Sequence, residues 1–479
     1  MTKSEENSDA GTEPLEAIPR RAWVVLFVCS ASMFLLLMDS SAMFVGFPFI
    51  EERFSATTSR TTLSWIVTAL FIFMVSSLLI AGRVADRFGR RKIFLLGLAL
   101  YGIAGIAAGC IPVVWVLIVT RSLQGIAIAM LSPSGLAMSL REFPQSRRAY
   151  AFGVWGTIGA VTGLCGSPLA AGMVQIFNWQ AIFIFTGCFS LVILVAGIII
   201  LNEEQEVGDQ TPIDVASALL ATISVAGLTL FLVQGQDWGF LSLKTLLCLI
   251  AFLTTVPVLI RRNNSQAHPL FPRSIFSQRS FTIGCIGSAL CQVGFFSIFF
   301  GLPLYMREVW EWSPLRIGFA LIPINIVPFL TAAIAGKIVD KRGPRSMIIF
   351  GGLWSGVCFL IIGFFLIESG YTYLAIGLLI SGLGVMAIGN NTTIATLLDI
   401  DDSVLASASS ASYTARRLGS ALGAVLTASI VGNRIGNDFK DIYIWVWVLV
   451  SFAYLTGALI TYLFYPKKSL EFHSVDLKK

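Results

Sequence analysis

Gly82-Arg83-Val84-Ala85-Asp86-Arg87-Phe88-Gly89-Arg90-Arg91 returns later in the chain as Gly336-Lys337-Ile338-Val339-Asp340-Lys341-Arg342-Gly343-Pro344-Arg345. By type, both stretches read Gly, cation, two small or aliphatic residues, Asp, cation, any residue, Gly, any residue, Arg. Each copy joins two long apolar runs. A charged turn that recurs at the same place in two hydrophobic halves implies a duplicated membrane architecture. A positive anchor alone would account for the cations, but not for Asp and both glycines recurring in register.

Composition agrees. Hydrophobic residues make up 56% of the 479 positions and charged residues 13%, about half the charged share of a soluble domain. A soluble fold of this length has no way to hide so much apolar surface. The 36 Phe and 43 Gly suit lipid-facing aromatics and helix contacts of close backbone approach. The expected class is an all-α polytopic membrane protein.

Apolar runs long enough to cross about 30 Å of hydrocarbon at about 1.5 Å per residue fall near 23–49, 62–81, 93–113, 115–139, 150–174, 180–201, 214–233, 243–260, 281–304, 314–336, 346–366, 372–396, 405–432 and 442–465. That gives about fourteen spans, an even number that puts both termini on one side. Most of the 33 Lys and Arg fall in loops on the side of the termini, which makes that side cytoplasmic. The net charge of +6 follows from this bias and from contact with anionic lipid heads, with no nucleic-acid partner needed.

Residues 1–19 are polar and read as a disordered cytoplasmic tail. Residues 20–201 read as a first bundle of about six spans, 202–279 as a linker carrying two more, 280–466 as a second bundle, and 467–479 as a cytoplasmic tail. The first apolar run is too long for a signal-peptide core and follows Arg20-Arg21, so it is expected to remain as a span. The eight cysteines lie within or at the ends of apolar runs without metal-like spacing, and His268 and His473 fall in predicted cytoplasmic segments. No catalytic set, metal site, phosphate loop or cofactor motif emerges.

The repeated turn resembles the loop between the second and third spans of the major facilitator superfamily and its echo in that family's second half. Leu117-Ile118-Val119-Thr120-Arg121-Ser122-Leu123-Gln124-Gly125 resembles the fourth-span motif, and Gly159, Gly163, Gly166, Pro168 and Gly172 resemble the fifth-span motif that marks antiporters. The Asp39 region, Gln234-Gly235-Gln236-Asp237-Trp238-Gly239 and Leu302-Pro303-Leu304-Tyr305 are similar to the fourteen-span drug:proton antiporter branch. Ser41 stands where that branch usually has Thr, Phe44 where it has Asn, and Ser167 splits the usual Gly-Pro of the fifth span. The resemblance runs from about residue 23 to 465. It implies alternating access through a midplane cavity, with hydrophobic or amphipathic compounds, cations among them, exported in exchange for protons by a monomeric carrier in a bacterial inner membrane.

Independently of that resemblance, Asp39 lies about 24 Å and Arg121 about 21 Å from the cytoplasmic side by helical rise. Opposite charges at similar depth in a membrane face a cavity or each other. Desolvation favours a protonated carboxyl and a neighbouring guanidinium favours the carboxylate. A group under both influences can load and release a proton as the cavity wets and dries; a fixed ion pair holding two helices is the other reading. Gly82, Asp86, Arg87, Gly89, Arg90, Gly336, Asp340, Gly343 and Arg345 form an expected gate, with the aspartates placed just beyond helix ends. Gly159, Gly163, Gly166 and Pro168 form an expected hinge or packing surface. Trp65, Gln124, Gln292, Asn325, Asn390 and Arg416 are candidates for the substrate cavity, where aromatic faces suit flat or cationic guests. Arg416 either faces the cavity or snorkels. A carrier of one specific metabolite or lipid on the same fold stays open.

Overall fold

The computed structural model describes residues 18–58, 60–144, 148–202, 215–266, 273–367, 369–389, 391–397, 399–400, 405–432 and 439–466. The two expected tails, the acidic stretch after residue 202, His268, His473 and Asn390 lie essentially outside these residues. Among the described residues the chain is helical throughout: α1 (Arg20–Phe54), α2 (Arg60–Phe88), α3 (Arg90–Cys110), α4 (Val114–Arg141), α5 (Arg148–Ile176), α6 (Gln180–Ile200), α7 (Val215–Trp238), α8 (Leu243–Ser265), the short α9 (Arg273–Ser277), α10 (Arg279–Glu308), α11 (Pro314–Ala320), α12 (Ile322–Ile361), a π-helical turn (Ile362–Leu366), α13 (Tyr371–Ile388), α14 (Asn391–Leu397), α15 (Leu405–Gly432) and α16 (Phe439–Phe464).

Every predicted span is helical. Among the described residues 11 helical segments are long and apolar enough to cross a membrane, and α2 and α7 carry shorter apolar cores at Trp65–Leu78 and Leu219–Leu232. Large apolar side chains such as Phe27, Ile103, Trp115 and Ile199 point outward with most of their surface uncovered. Water would penalise that exposure by about 25 cal/mol per Å², and lipid removes the penalty. The chain is an integral membrane protein.

Two predicted spans are broken. The run 314–336 divides at Leu321 into α11 and α12 because Pro323 in the first turn of α12 has no N–H and its ring crowds the preceding turn. The run 372–396 divides after α13, where Gly389 leaves helical geometry.

The repeated motif is a turn of one residue. α2 runs through Asp86 to Phe88 and α3 starts at Arg90, with only Gly89 between them at φ 97°. Gly343 makes the same break, at φ 73° and ψ 160°, inside the long α12. Left-handed φ costs an L-residue about 1–2 kcal/mol, so the second glycine of the motif is set by backbone geometry. Asp86 and Asp340 therefore lie within the last helical turns, not beyond them as expected. The intervening residues include neither Gly nor Pro, the two strong helix breakers, and the helix stops only where a glycine permits the turn.

Helix packing repeats along with the motif. In the first group α1 packs on α5, α2 and α3 on α4, and α3 on α6; in the second, α10 packs on α15, α12 on α13, and α12 on α16. The α3–α6 contact is close enough that a Cβ on Gly105 would stand 3.0 Å from the Cα of Gly187. In the second group a Cβ on Gly352 would stand 2.8 Å from the carbonyl oxygen of Tyr454. Small residues at such crossings let backbones approach where no hydrophobic drive separates helix from lipid. The groups meet through α5 against α11 and α12, and through α2 against α15. The inserted α7 packs on α2 and α15, and α8 lies outermost against α7. Gln234 ties α7 to α2 by donating to Thr68 Oγ1 at 3.2 Å, and the rings of Trp238 and Trp65 lie 6.1 Å apart.

Candidate functional site

The structure brings Asp39 and Arg121 together. Arg121 grips the carboxylate with both terminal nitrogens, Nη1 to Oδ1 at 2.5 Å and Nη2 to Oδ2 at 2.8 Å. Two further donors are used as well: Nε reaches the carbonyl of Ile66 at 3.0 Å, and Nη1 also reaches Gln124 Oε1 at 3.1 Å. The guanidinium carbon lies 5.7 Å from the ring centre of Phe183. Asp39 is 2% exposed and Arg121 0%, so bidentate geometry offsets part of a large desolvation cost.

Tyr101 completes the cluster by donating from its hydroxyl to Asp39 Oδ1 at 3.2 Å. The sequence reading missed this residue, as it did the Ile66 carbonyl. The available signal was a lone tyrosine about halfway along a glycine-rich apolar helix, at a depth where a hydroxyl needs a partner. Asp39 thus sits where α1, α3 and α4 meet, with a phenol and a guanidinium both directed at it. Gln124 is fully buried, accepts from Arg121, and leaves its amide nitrogen without a protein partner.

The gate residues divide differently. The side chains of Asp86, Gly336 and Asp340 lie outside the described part of the structure. Arg87 is exposed, with its guanidinium carbon 5.7 Å from the Phe88 ring centre, and Arg90 and Gly82 are half-buried. The final arginines of the motif share one task. Arg91 donates to the carbonyls of Leu201 at 2.6 Å and Ile198 at 3.1 Å, closing the C-terminus of α6. Arg345 donates to the carbonyl of Tyr462 at 2.8 Å, near the C-terminus of α16. Cations at helix C-termini satisfy orphan carbonyls and oppose the dipole. Arg345, expected in a gate, ties α12 to α16 of its own helix group.

The glycine and proline stretch of α5 is a contact between groups. α5 stays helical through Pro168. A Cβ on Gly318 of α11 would stand 2.9 Å from the Ser167 carbonyl oxygen and 3.1 Å from Pro168 Cα, and one on Gly163 would stand 3.5 Å from Asn325 Oδ1. Gly159 faces Met33 of α1 instead, and Gly166 is buried.

The cavity candidates separate in the same way. Asn325 lies on the α5–α12 contact, donating to the Leu321 carbonyl at 3.2 Å. Gln292 is half-buried on α10. Trp65 turns toward α7, where its ring meets that of Trp238. Arg416 donates from Nη1 to Thr393 Oγ1 of α14. It sits eleven positions into α15, counted from Leu405.

A duplicated helical bundle with a buried acid–base cluster at its centre is the structure of a membrane carrier. The major facilitator superfamily model matches residues 29–424 and 284–474, and the chain belongs to that family. Similar proteins include the "Tetracenomycin C resistance and export protein" of Streptomyces glaucescens, 26% identical over 439 residues, or 91% of this chain and 81% of that one. "Multidrug export protein EmrB" of Escherichia coli is 26% identical over 415 residues, covering 86% of this chain and 80% of its own length. "Multidrug efflux pump LfrA" of Mycolicibacterium smegmatis is 25% identical over 424 residues, covering 88% and 83%.

Proposed function

We propose that this chain exports hydrophobic or amphipathic compounds in exchange for protons, by alternating access between two bundles, 20–201 and 280–466, joined through 202–279. No bond in the cargo is made or broken; the chemistry is protonation and release. The observation that carries the reading is the Asp39–Arg121–Tyr101 cluster, buried at the centre of a bundle whose relatives are named for drug resistance and export. Protonation of Asp39 would discharge the carboxylate, weaken the grip of Arg121 and loosen α1 from α4, which links proton binding to helix movement. The motif turns at Gly89 and Gly343 act as the gate on the side of the termini, which is cytoplasmic, and the α5–α11 contact is the surface on which the bundles rock. One chain contains both bundles, so the carrier works as a monomer in the inner membrane.

The test is quenching of a pH-gradient dye in proteoliposomes challenged with a panel of unrelated amphiphiles, for wild type and Asp39→Asn. Proton release evoked by several compounds and lost in Asp39→Asn is the expected result. Silence across the panel in folded protein contradicts multidrug export and favours a single-cargo carrier. Release that persists in Asp39→Asn moves the proton site elsewhere.

A further inference from the structure

The second bundle holds a charge that the first does not prepare for. Arg416 lies eleven positions after Leu405 and sixteen before Gly432 in α15, about 17 Å and 24 Å from the helix ends, farther than its side chain reaches. Its guanidinium has five N–H donors, and its hydrogen-bond partner among the described residues is the neutral hydroxyl of Thr393. Among the described residues, the titratable groups close enough to act on it are Arg417, Tyr413 and Cys291, with no carboxylate among them. Arg417 adds a second cation and is itself engaged by a neutral group, donating to Tyr413 Oη at 2.5 Å with its guanidinium carbon 4.8 Å from that ring's centre. Two adjacent guanidinium groups, at least one of them buried, are costly unless something negative reaches them.

Their position makes that possible. Tyr413 packs beside Leu78, Ala81 and Met130 of the first bundle, and Leu418 packs against that bundle's core. Arg416 therefore belongs to a stretch of α15 on the seam between the bundles. On the facing helix α10, Ser288 lies one turn before Cys291 and Gln292, and its hydroxyl is buried without a partner. Asp39 does not neutralise the arginines, since both its oxygens are held by Arg121.

We propose that Arg416, supported by Arg417, is the anion-reading end of the substrate cavity, and that the preferred cargo is an amphiphile bearing a carboxylate on a flat apolar body. Arg recognises carboxylates through paired parallel donors. The cationic cargo considered from the sequence would meet two positive charges on this side of the seam. This proposal rests on the exporter reading for its biological meaning, but binding can be measured without transport.

The experiment is fluorescence titration of the purified full-length chain, in nanodiscs of zwitterionic lipid, with pyrenebutyrate, its methyl ester, and a pyrenyl trimethylammonium of equal length. The acid is expected to bind about tenfold or more tightly than the ester, the worth of one charge-assisted hydrogen bond, and the cation most weakly. Arg416→Gln should bring the acid to the level of the ester, while Arg416→Lys keeps part of the preference and serves, with thermal unfolding, as the folding control. Equal binding of acid and ester to wild type, or a preference untouched by Arg416→Gln, overturns the proposal. Loss of the acid's preference in nanodiscs of anionic lipid would assign the arginines to a lipid headgroup and also overturn it. Cations that evoke proton release without any preference for acids would leave the exporter reading standing and remove only the anion site. Arg416-dependent binding of acid without proton movement would do the reverse.

Discussion

The two bundles share their packing and differ in their charge. Each repeats the contacts of first helix on fifth and third on sixth, the single-glycine turn, and the arginine that closes the last helix. At their centres the likeness ends. In the first bundle Asp39 and Arg121 neutralise each other with every guanidinium nitrogen engaged; in the second, Arg416 and Arg417 rest on neutral hydroxyls. Duplication preserved what lets helices pack in lipid, and the polar residues diverged toward separate tasks. On this account one bundle handles the proton and the other reads the cargo.

That contrast can be broken in several places. The largest stability effect is expected from Arg121→Ala, which strands a buried carboxylate and should destabilise the protein by about 3–5 kcal/mol, seen as a large drop in unfolding temperature in detergent. Arg416→Ala removes a charge with no ionic partner among the described residues, so it should cost far less or be neutral; an equal loss in both variants would erase the distinction. Next come the shared contacts. Gly105→Val and Gly352→Val each push a side chain into a facing backbone and should each cost about 1–3 kcal/mol, and a cost confined to one bundle would argue against equivalent scaffolds. Smaller still, Gly89→Ala and Gly343→Ala should each cost about 1–2 kcal/mol through the left-handed turn. The smallest effect, about 1 kcal/mol apiece, is expected for Arg91→Gln and Arg345→Gln, measured by the same melts.

What could be read from sequence followed physical scale. Span positions came from apolar length, and the pairing of Asp39 with Arg121 from depth alone, because two charges in hydrocarbon have few alternatives. Tyr101 could not be assigned that way, since its contact depends on how α3 packs against α1. The break at Pro323 carried a local signal that the length criterion overrode. The motif showed a turn but not its size: nothing in the order of charges reveals that the helix continues through Asp86 and bends only at Gly89. Arg345 looked like its neighbours in the motif, and only the return of α16 to that end of the bundle shows it closing a helix. For Trp65 and Arg416 the type of residue was informative while its partner was not: Trp65 meets Trp238 of α7, and Arg416 meets Thr393 of α14.

The division of labour is tested most directly by comparing two modes of transport in Asp39→Asn proteoliposomes: exchange of labelled for unlabelled cargo at equal pH, and accumulation driven by a pH gradient. Exchange needs cargo binding and rocking of the bundles, whereas accumulation also needs the proton. The account predicts that exchange survives while gradient-driven accumulation is lost. Accumulation at the wild-type level would contradict it, because the proton would then be carried by a group other than Asp39.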